Sequence, residues 1–139
     1  MAEQINALLV HTQDETYRQL EQVLRSLNIR VIHTRNCREA SLHLKPQGGG
    51  IDLVFAGANL QDGGWAKVLA LVQRAKSYLP VIVVSPMVDV GIYLDALGMG
   101  AFDFVTPPFL ISDLAHIVRS AIYKELVSVK QDMTAPPVS

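Results

Sequence analysis

Residues 96–109 read Ala-Leu-Gly-Met-Gly-Ala-Phe-Asp-Phe-Val-Thr-Pro-Pro-Phe. Gly98 and Gly100 stop a helix that begins near Asp89 and ends at Leu97, since glycine takes the left-handed conformation that closes a helix. Phe102 to Thr106 then forms a short β-type run, which Pro107-Pro108 ends. Ser112 is placed to cap a last helix from Asp113 to about Lys130, with Leu114, Ile117, Val118, Ala121 and Ile122 at helical spacing. Helix, strand and helix joined by such short connections are the rhythm of a parallel sheet covered by helices.

Working outward, the same rhythm fills the chain. Ile5 to His11 is an almost unbroken apolar run, as suits a central strand buried on both faces. A helix follows from about Asp14, with Tyr17, Leu20, Val23, Leu24 and Leu27 as its inward stripe and Asp14 and Glu15 complementing its N-terminus. Ile29 to Thr34 is a second strand, and Asn36 with Glu39 opens a short helix that ends before Pro46. The Gly48-Gly49-Gly50 run is a loop. Ile51 to Ala56 is a third strand ending at Gly57, and Ala58 to Gly64 is a loop leading into a helix from Trp65 to about Tyr78. Pro80 opens a fourth strand, Val81 to Ser85. Five strand and helix pairs with right-handed crossovers predict a flavodoxin-like, doubly wound α/β fold of strand order 2-1-3-4-5. The domain is expected over residues 1–131, with 132–139 as a tail or the start of a linker.

Composition narrows the function classes. The 139 residues are 50% hydrophobic and 18% charged, with 12 Lys and Arg against 13 Asp and Glu. A compact globule is expected, without the basic field of a nucleic-acid binder. The lone Cys37 forms no internal disulfide, which fits a reducing cytoplasm. The opening MAEQINALLV lacks a basic region before its apolar run, and no apolar stretch approaches the roughly 18 residues of a membrane span. His33, His43 and His116 fall on separate elements, so neither a metal nor another cofactor is expected.

The passage 96–109 resembles the receiver domains of bacterial response regulators, where a small residue, Gly-Ala, an Asp and an aromatic lead to Lys-Pro-Phe. Asp52-Leu53-Val54-Phe55 is similar to that family's third strand and Pro80-Val81-Ile82-Val83-Val84-Ser85 to its fourth, so the likeness covers about residues 5 to 127. The resemblance implies a phosphoryl-acceptor aspartate ending strand three, two acids after strand one holding Mg²⁺, a hydroxyl ending strand four and a lysine ending strand five. Here the acceptor position holds Gly57, the acid pair His11 and Thr12, and the lysine position Pro107. Only Ser85 keeps its type. Glycine offers no nucleophile, proline no cation, and His11 and Thr12 lack the hard carboxylate oxygens Mg²⁺ prefers. Gln61 replaces the proline that follows the acceptor, and the loop before Gly64 is about one residue short.

These losses predict a non-enzymatic pseudo-receiver that acts by protein contact. The resemblance implies helix four, strand five and helix five as the contact surface, with Tyr93, Leu94, Leu97, Ile111, His116, Arg119 and Tyr123 on or near it. The expected partner is another protein or a second copy, in a homodimer; neither nucleic acid nor membrane is expected. Phe104 replaces the family's switch tyrosine and is expected to stay in its buried rotamer, because it has no hydroxyl to leave unpaired. Asp14, Asp52, Asp62 and Asp103 are read as caps and structural acids rather than as displaced acceptors. Trp65 is read equally as a recognition aromatic and as a partial core residue. A small anion or metabolite bound at the vacated rim is an alternative. A hydrolase built on His11, Asp14 and Ser85 is a remote one, because Ser85 has no strained nucleophile elbow and Pro86 after it has no N–H for an oxyanion.

Overall fold

The computed structural model describes residues 4–44, 50–58, 60, 62–75 and 79–134, with side chains as far as Tyr123. Gly48, Gly49, Gln61 and Tyr78, the side chains of Leu126, Val127 and Val129, and the tail from 135 lie outside the described residues.

Strands β1 (Asn6–Val10), β2 (Arg30–Thr34), β3 (Leu53–Gly57), β4 (Val81–Val84) and β5 (Asp103–Val105) form one sheet of order β2-β1-β3-β4-β5. Every pairing is parallel, with Leu8 beside Ile32 on one side and Val54 on the other. Helices α1 (Glu15–Ser26), α2 (Cys37–His43), α3 (Trp65–Arg74), α4 (Val90–Gly98) and α5 (Ile111–Thr134) make the crossovers. This is the flavodoxin-like order expected from the sequence.

The central strands β1 (from Ala7), β3 and β4 are apolar at successive residues because both faces are covered. Ala7 and Leu9 point into a core with Leu53, Phe55, Ile82 and the inner sides of α1 and α5, represented by Tyr17, Leu20, Leu24, Leu114 and Val118. Leu8 and Val10 point the other way, onto Cys37 and Ala40 of α2 and Val68, Leu69 and Val72 of α3. A smaller cluster of Val83, Ala96 and Ala101 seats α4. Trp65 is half-buried and packs against both of these last two clusters, which makes it a core aromatic.

Local rules set the boundaries. Asp14 accepts from the Tyr17 N–H at 2.9 Å, Asn36 from Glu39 at 2.9 Å and Asp89 from Ile92 at 3.0 Å, so three helices begin on side-chain caps. Gly100, at φ 107°, lets the Ala101 N–H reach back to the Ala96 carbonyl at 2.9 Å and end α4. The last helix departs from expectation at both ends. It starts at Ile111, with the Leu114 N–H bonded to the Leu110 carbonyl, so Ser112 lies inside the first turn and is not the cap. Its backbone stays helical to Thr134, past the expected end near Lys130.

Leu114 is 1% exposed where α5 meets the sheet. Leu114→Ala is expected to cost about 2–5 kcal/mol by loss of transfer energy and cavity formation. A urea melt reads this as a lower midpoint at unchanged slope.

Candidate functional site: the carboxyl rim of the sheet

Ligands of doubly wound sheets sit beyond the carboxyl ends of the strands, here the residues after Val10, Gly57, Val84 and Val105. His11, the first residue past β1, dominates that rim. Its N–H donates to the Thr34 carbonyl at 3.0 Å, and its carbonyl accepts from His33 Nε2 at 2.8 Å. Its Nδ1 donates to the Thr12 carbonyl at 2.7 Å and lies 3.7 Å from Asp14 Oδ1. Only 7% of the residue is exposed. The ring lies against Gly57, where a Cβ would stand 2.7 Å from His11 Cδ2 and 3.1 Å from Cγ. Imidazole thus occupies the space that an acceptor side chain at position 57 would need.

Behind His11, Tyr17 and His33 continue a row of rings, with centroids 6.4 Å apart for His11 and Tyr17 and 4.3 Å for Tyr17 and His33. The Tyr17 hydroxyl donates to Glu21 at 2.9 Å, and Arg25 holds the same carboxylate at 3.0 Å. Burial, then the hydrogen bond and charge of Glu21, pushes the Tyr17 phenol up to about 12. Burial alone would raise Glu21, yet the bonds from Tyr17 and Arg25 leave it below its ordinary value. Sequence reading had taken Tyr17 only as core; the row of rings depends on β2 lying beside β1, which no local pattern reveals.

The other rim positions are also engaged. Thr12 Oγ1 donates to Asp14 Oδ2 at 3.3 Å. Ser85 is buried and donates to the Met87 carbonyl at 2.8 Å, within its own loop. Among the described residues no hydrogen bond joins Ser85 to His11. Pro107 follows Thr106 at the end of β5 and is joined to Pro108 by a cis peptide bond. Asp52 accepts from the Asn6 N–H at 2.7 Å, at the opposite end of the sheet, and Asp103 accepts from the Phe104 N–H at 2.7 Å.

Asp62, read from sequence as a cap or structural acid, caps a helix distant from it in sequence. Its carboxylate accepts from the N–H groups of Cys37 at 2.9 Å and Arg38 at 3.1 Å, capping α2 from the loop after β3. These bonds, with Cys37 first, hold Asp62 below the usual carboxylate range. Burial, then the charge of Asp62, pushes the Cys37 thiol up to about 11. Among the described residues no group of three His, Cys, Asp or Glu is arranged to hold a metal.

Toward β5, Phe104 is half-buried rather than fully enclosed. It packs beside Val83 and Ala96 and meets Tyr93 edge to face, with centroids 5.9 Å apart at 84°. A groove of about 380 Å³ lies between β5 and α5, lined by Phe104, Phe109, Leu110, Leu114, His116 and Ile117 among others. Leu94, Leu97, Ile111 and Tyr123 are exposed, while Arg119 borders a separate hollow with Ile5, Leu27 and Ile29. Exposed Met87, Val88, Val90 and Met99 extend the apolar surface over the β4–α4 loop and beyond the residues expected there.

The phenol of Tyr17 gives the rim a pH dependence. The folded state keeps this proton up to about pH 12, whereas an unperturbed phenol loses it at its ordinary value of 10.0. The stabilisation is therefore complete below pH 10.0 and is lost as pH rises toward about 12. Tyrosinate absorbance should show a late step that Tyr17→Phe removes, together with that share of the alkaline loss of stability.

Comparison with known proteins agrees with this fold. The response regulator receiver domain profile matches residues 7–119. The chain is 27% identical over 116 residues to the response regulator protein PilR of Pseudomonas aeruginosa, covering 84% of this chain and 26% of that protein. It is 26% identical over 133 residues to the regulatory protein AtoC of Escherichia coli, covering 93% of this chain and 27% of that protein. It therefore spans about a quarter of the length of these relatives. Among solved structures, a CheY-like receiver domain protein from Methanospirillum hungatei superposes with a TM-score of 0.75 at 14% identity, covering 91% of this chain and 99% of that one. A two-component response regulator from Clostridium difficile gives 0.73 at 20% identity, covering 87% and 98%. No helix among the described residues is long and apolar enough to cross a membrane. Strand order, the matched span and the shared architecture together make this chain a member of the response regulator receiver domain family.

Proposed function

We propose that this receiver domain takes no phosphoryl group at the end of β3 and signals through protein contact alone. The observation that carries this reading is at Gly57, which has no side chain and whose open face is filled by the His11 ring. Phosphoryl transfer to a receiver needs a carboxylate nucleophile, a Mg²⁺ held by hard oxygens, and a cation for the developing charge. His11, Thr12 and Pro107 provide none of these at the corresponding positions. The one retained group, Ser85, spends its hydroxyl proton on Met87. Acetyl phosphate or beryllofluoride with Mg²⁺ is expected to add no mass and to leave the melting temperature unchanged. A stoichiometric phosphoryl adduct on an aspartate would overturn the reading.

The contact surface in this proposal is α4, β5 and α5, and the partner is a second copy related by a two-fold axis. Isologous pairing needs only one self-complementary patch. Support comes from α4, whose single fully buried side chain is Ala96 and whose outer face exposes Val90, Leu94 and Leu97. Exposed apolar patches mark contacts, and here the groove between β5 and α5 adjoins the patch. Leu94 is 61% and Tyr123 69% exposed, so substitution there leaves the core intact. Sedimentation at micromolar concentration is expected to give a dimer for the native chain and a monomer for the Leu94→Glu, Tyr123→Glu variant. A native monomer, or a dimer indifferent to both charges, removes this interface.

A further inference from the structure

We infer that His11 and Gly57 are an interlocked pair in which the imidazole plugs the acceptor position from within, so that neither residue can be changed independently of the other. The inference rests on the reading of this chain as a non-phosphorylatable receiver and gives that reading a physical mechanism. Loss of an acceptor aspartate by itself would leave a hollow at the rim. Here the hollow is filled by a ring from the residue that follows the adjacent strand.

The geometry is specific. Gly57 is buried in β3 and is not among the glycines with positive φ, so its backbone suits any residue. Glycine weakens a strand, and inside one it marks a bulge or a close approach. The close approach is visible as the 2.7 Å and 3.1 Å between the position of a Cβ and the His11 ring atoms Cδ2 and Cγ. A flexible side chain would swing aside, but this ring cannot do so cheaply. It is 7% exposed, its Nδ1 is bonded to the Thr12 carbonyl at 2.7 Å, and Tyr17 stands behind it. Moving it would break the part-buried hydrogen bond to the Thr12 carbonyl. The plug therefore ties the β1–α1 connection to the end of β3. It leaves no volume at position 57 for a carboxylate, a phosphoryl group or beryllofluoride. Restoring an acceptor would require His11 to change before, or together with, Gly57.

The test is a double-mutant cycle of His11→Ala and Gly57→Ala, read by thermal melting. In the native background Gly57→Ala is expected to lower Tm by about 5 °C or more, as overpacking does in a domain of this size. With His11→Ala present, the added methyl meets no ring, and Gly57→Ala is expected to be neutral or to raise Tm. If Gly57→Ala alone does not fold, folding of the double variant supports the interlock, and its failure overturns it. If His11→Ala alone does not fold, rescue by the methyl at 57 supports the interlock and absence of rescue overturns it. Equal losses in both backgrounds also overturn it. These outcomes are read as stability and the phosphoryl adduct as mass, so the interlock and the underlying reading fail separately.

Discussion

From Ala7 to Val10 neither face of β1 meets water, and both of its edges are bonded, to β2 and to β3. The other elements follow from that burial. A strand so placed must be apolar at consecutive residues, which Ala7, Leu8, Leu9 and Val10 are, each with no exposed surface. Two layers of helices are then required, and parallel pairing makes each connection a crossover that can supply one. The chain leaves the sheet at the carboxyl rim after each of the first four strands, so rim chemistry is decided by the first residues after each strand.

In this protein those residues satisfy one another. His11 bonds the Thr12 carbonyl, His33 bonds the His11 carbonyl, Ser85 bonds the Met87 carbonyl and Asp62 binds the N-terminus of α2. A receiver site that binds Mg²⁺ and a phosphoryl group must hold polar groups apart from one another and ready for a ligand. Here the same region of the fold is closed by short internal bonds, with an aromatic row behind it. The exception is Thr34, whose buried hydroxyl has no hydrogen-bond partner among the described residues; nothing in the structure explains it.

The parts legible in the sequence were those set by neighbours along the chain. Strand periodicity, the caps at Asp14 and Asn36 and the stop at Gly100 depend on residues within about one turn, and each is found where the pattern puts it. Receiver ancestry was legible from residues 96–109 together with the third and fourth strands. The partners that sequence did not reveal are tertiary. Asp62 caps a helix that begins 25 positions before it in sequence, a pairing created only when β3 takes its place beside β1. Ser112 has the chemistry of a cap, but the bond from Leu114 to the Leu110 carbonyl starts the helix sooner. The direction of the His11 ring was beyond a residue-type argument, since filling the space of a lost acid pair and filling that of a lost acceptor look alike until Gly57 is placed.

Helix α4 is held differently from the rest. Its residues between Asp89 and Met99 contribute one fully buried side chain, Ala96, with Ile92 half-buried, whereas α1 contributes Tyr17, Leu20 and Leu24. Local opening free energy follows the apolar area a segment must expose. The domain is therefore graded, with β1 and β3 opening only in global unfolding and α4 able to detach at far smaller cost. Amide protons in α4 should accordingly exchange through a separate, shallower opening, and any protein that covers its outer face would draw that local equilibrium toward the closed form.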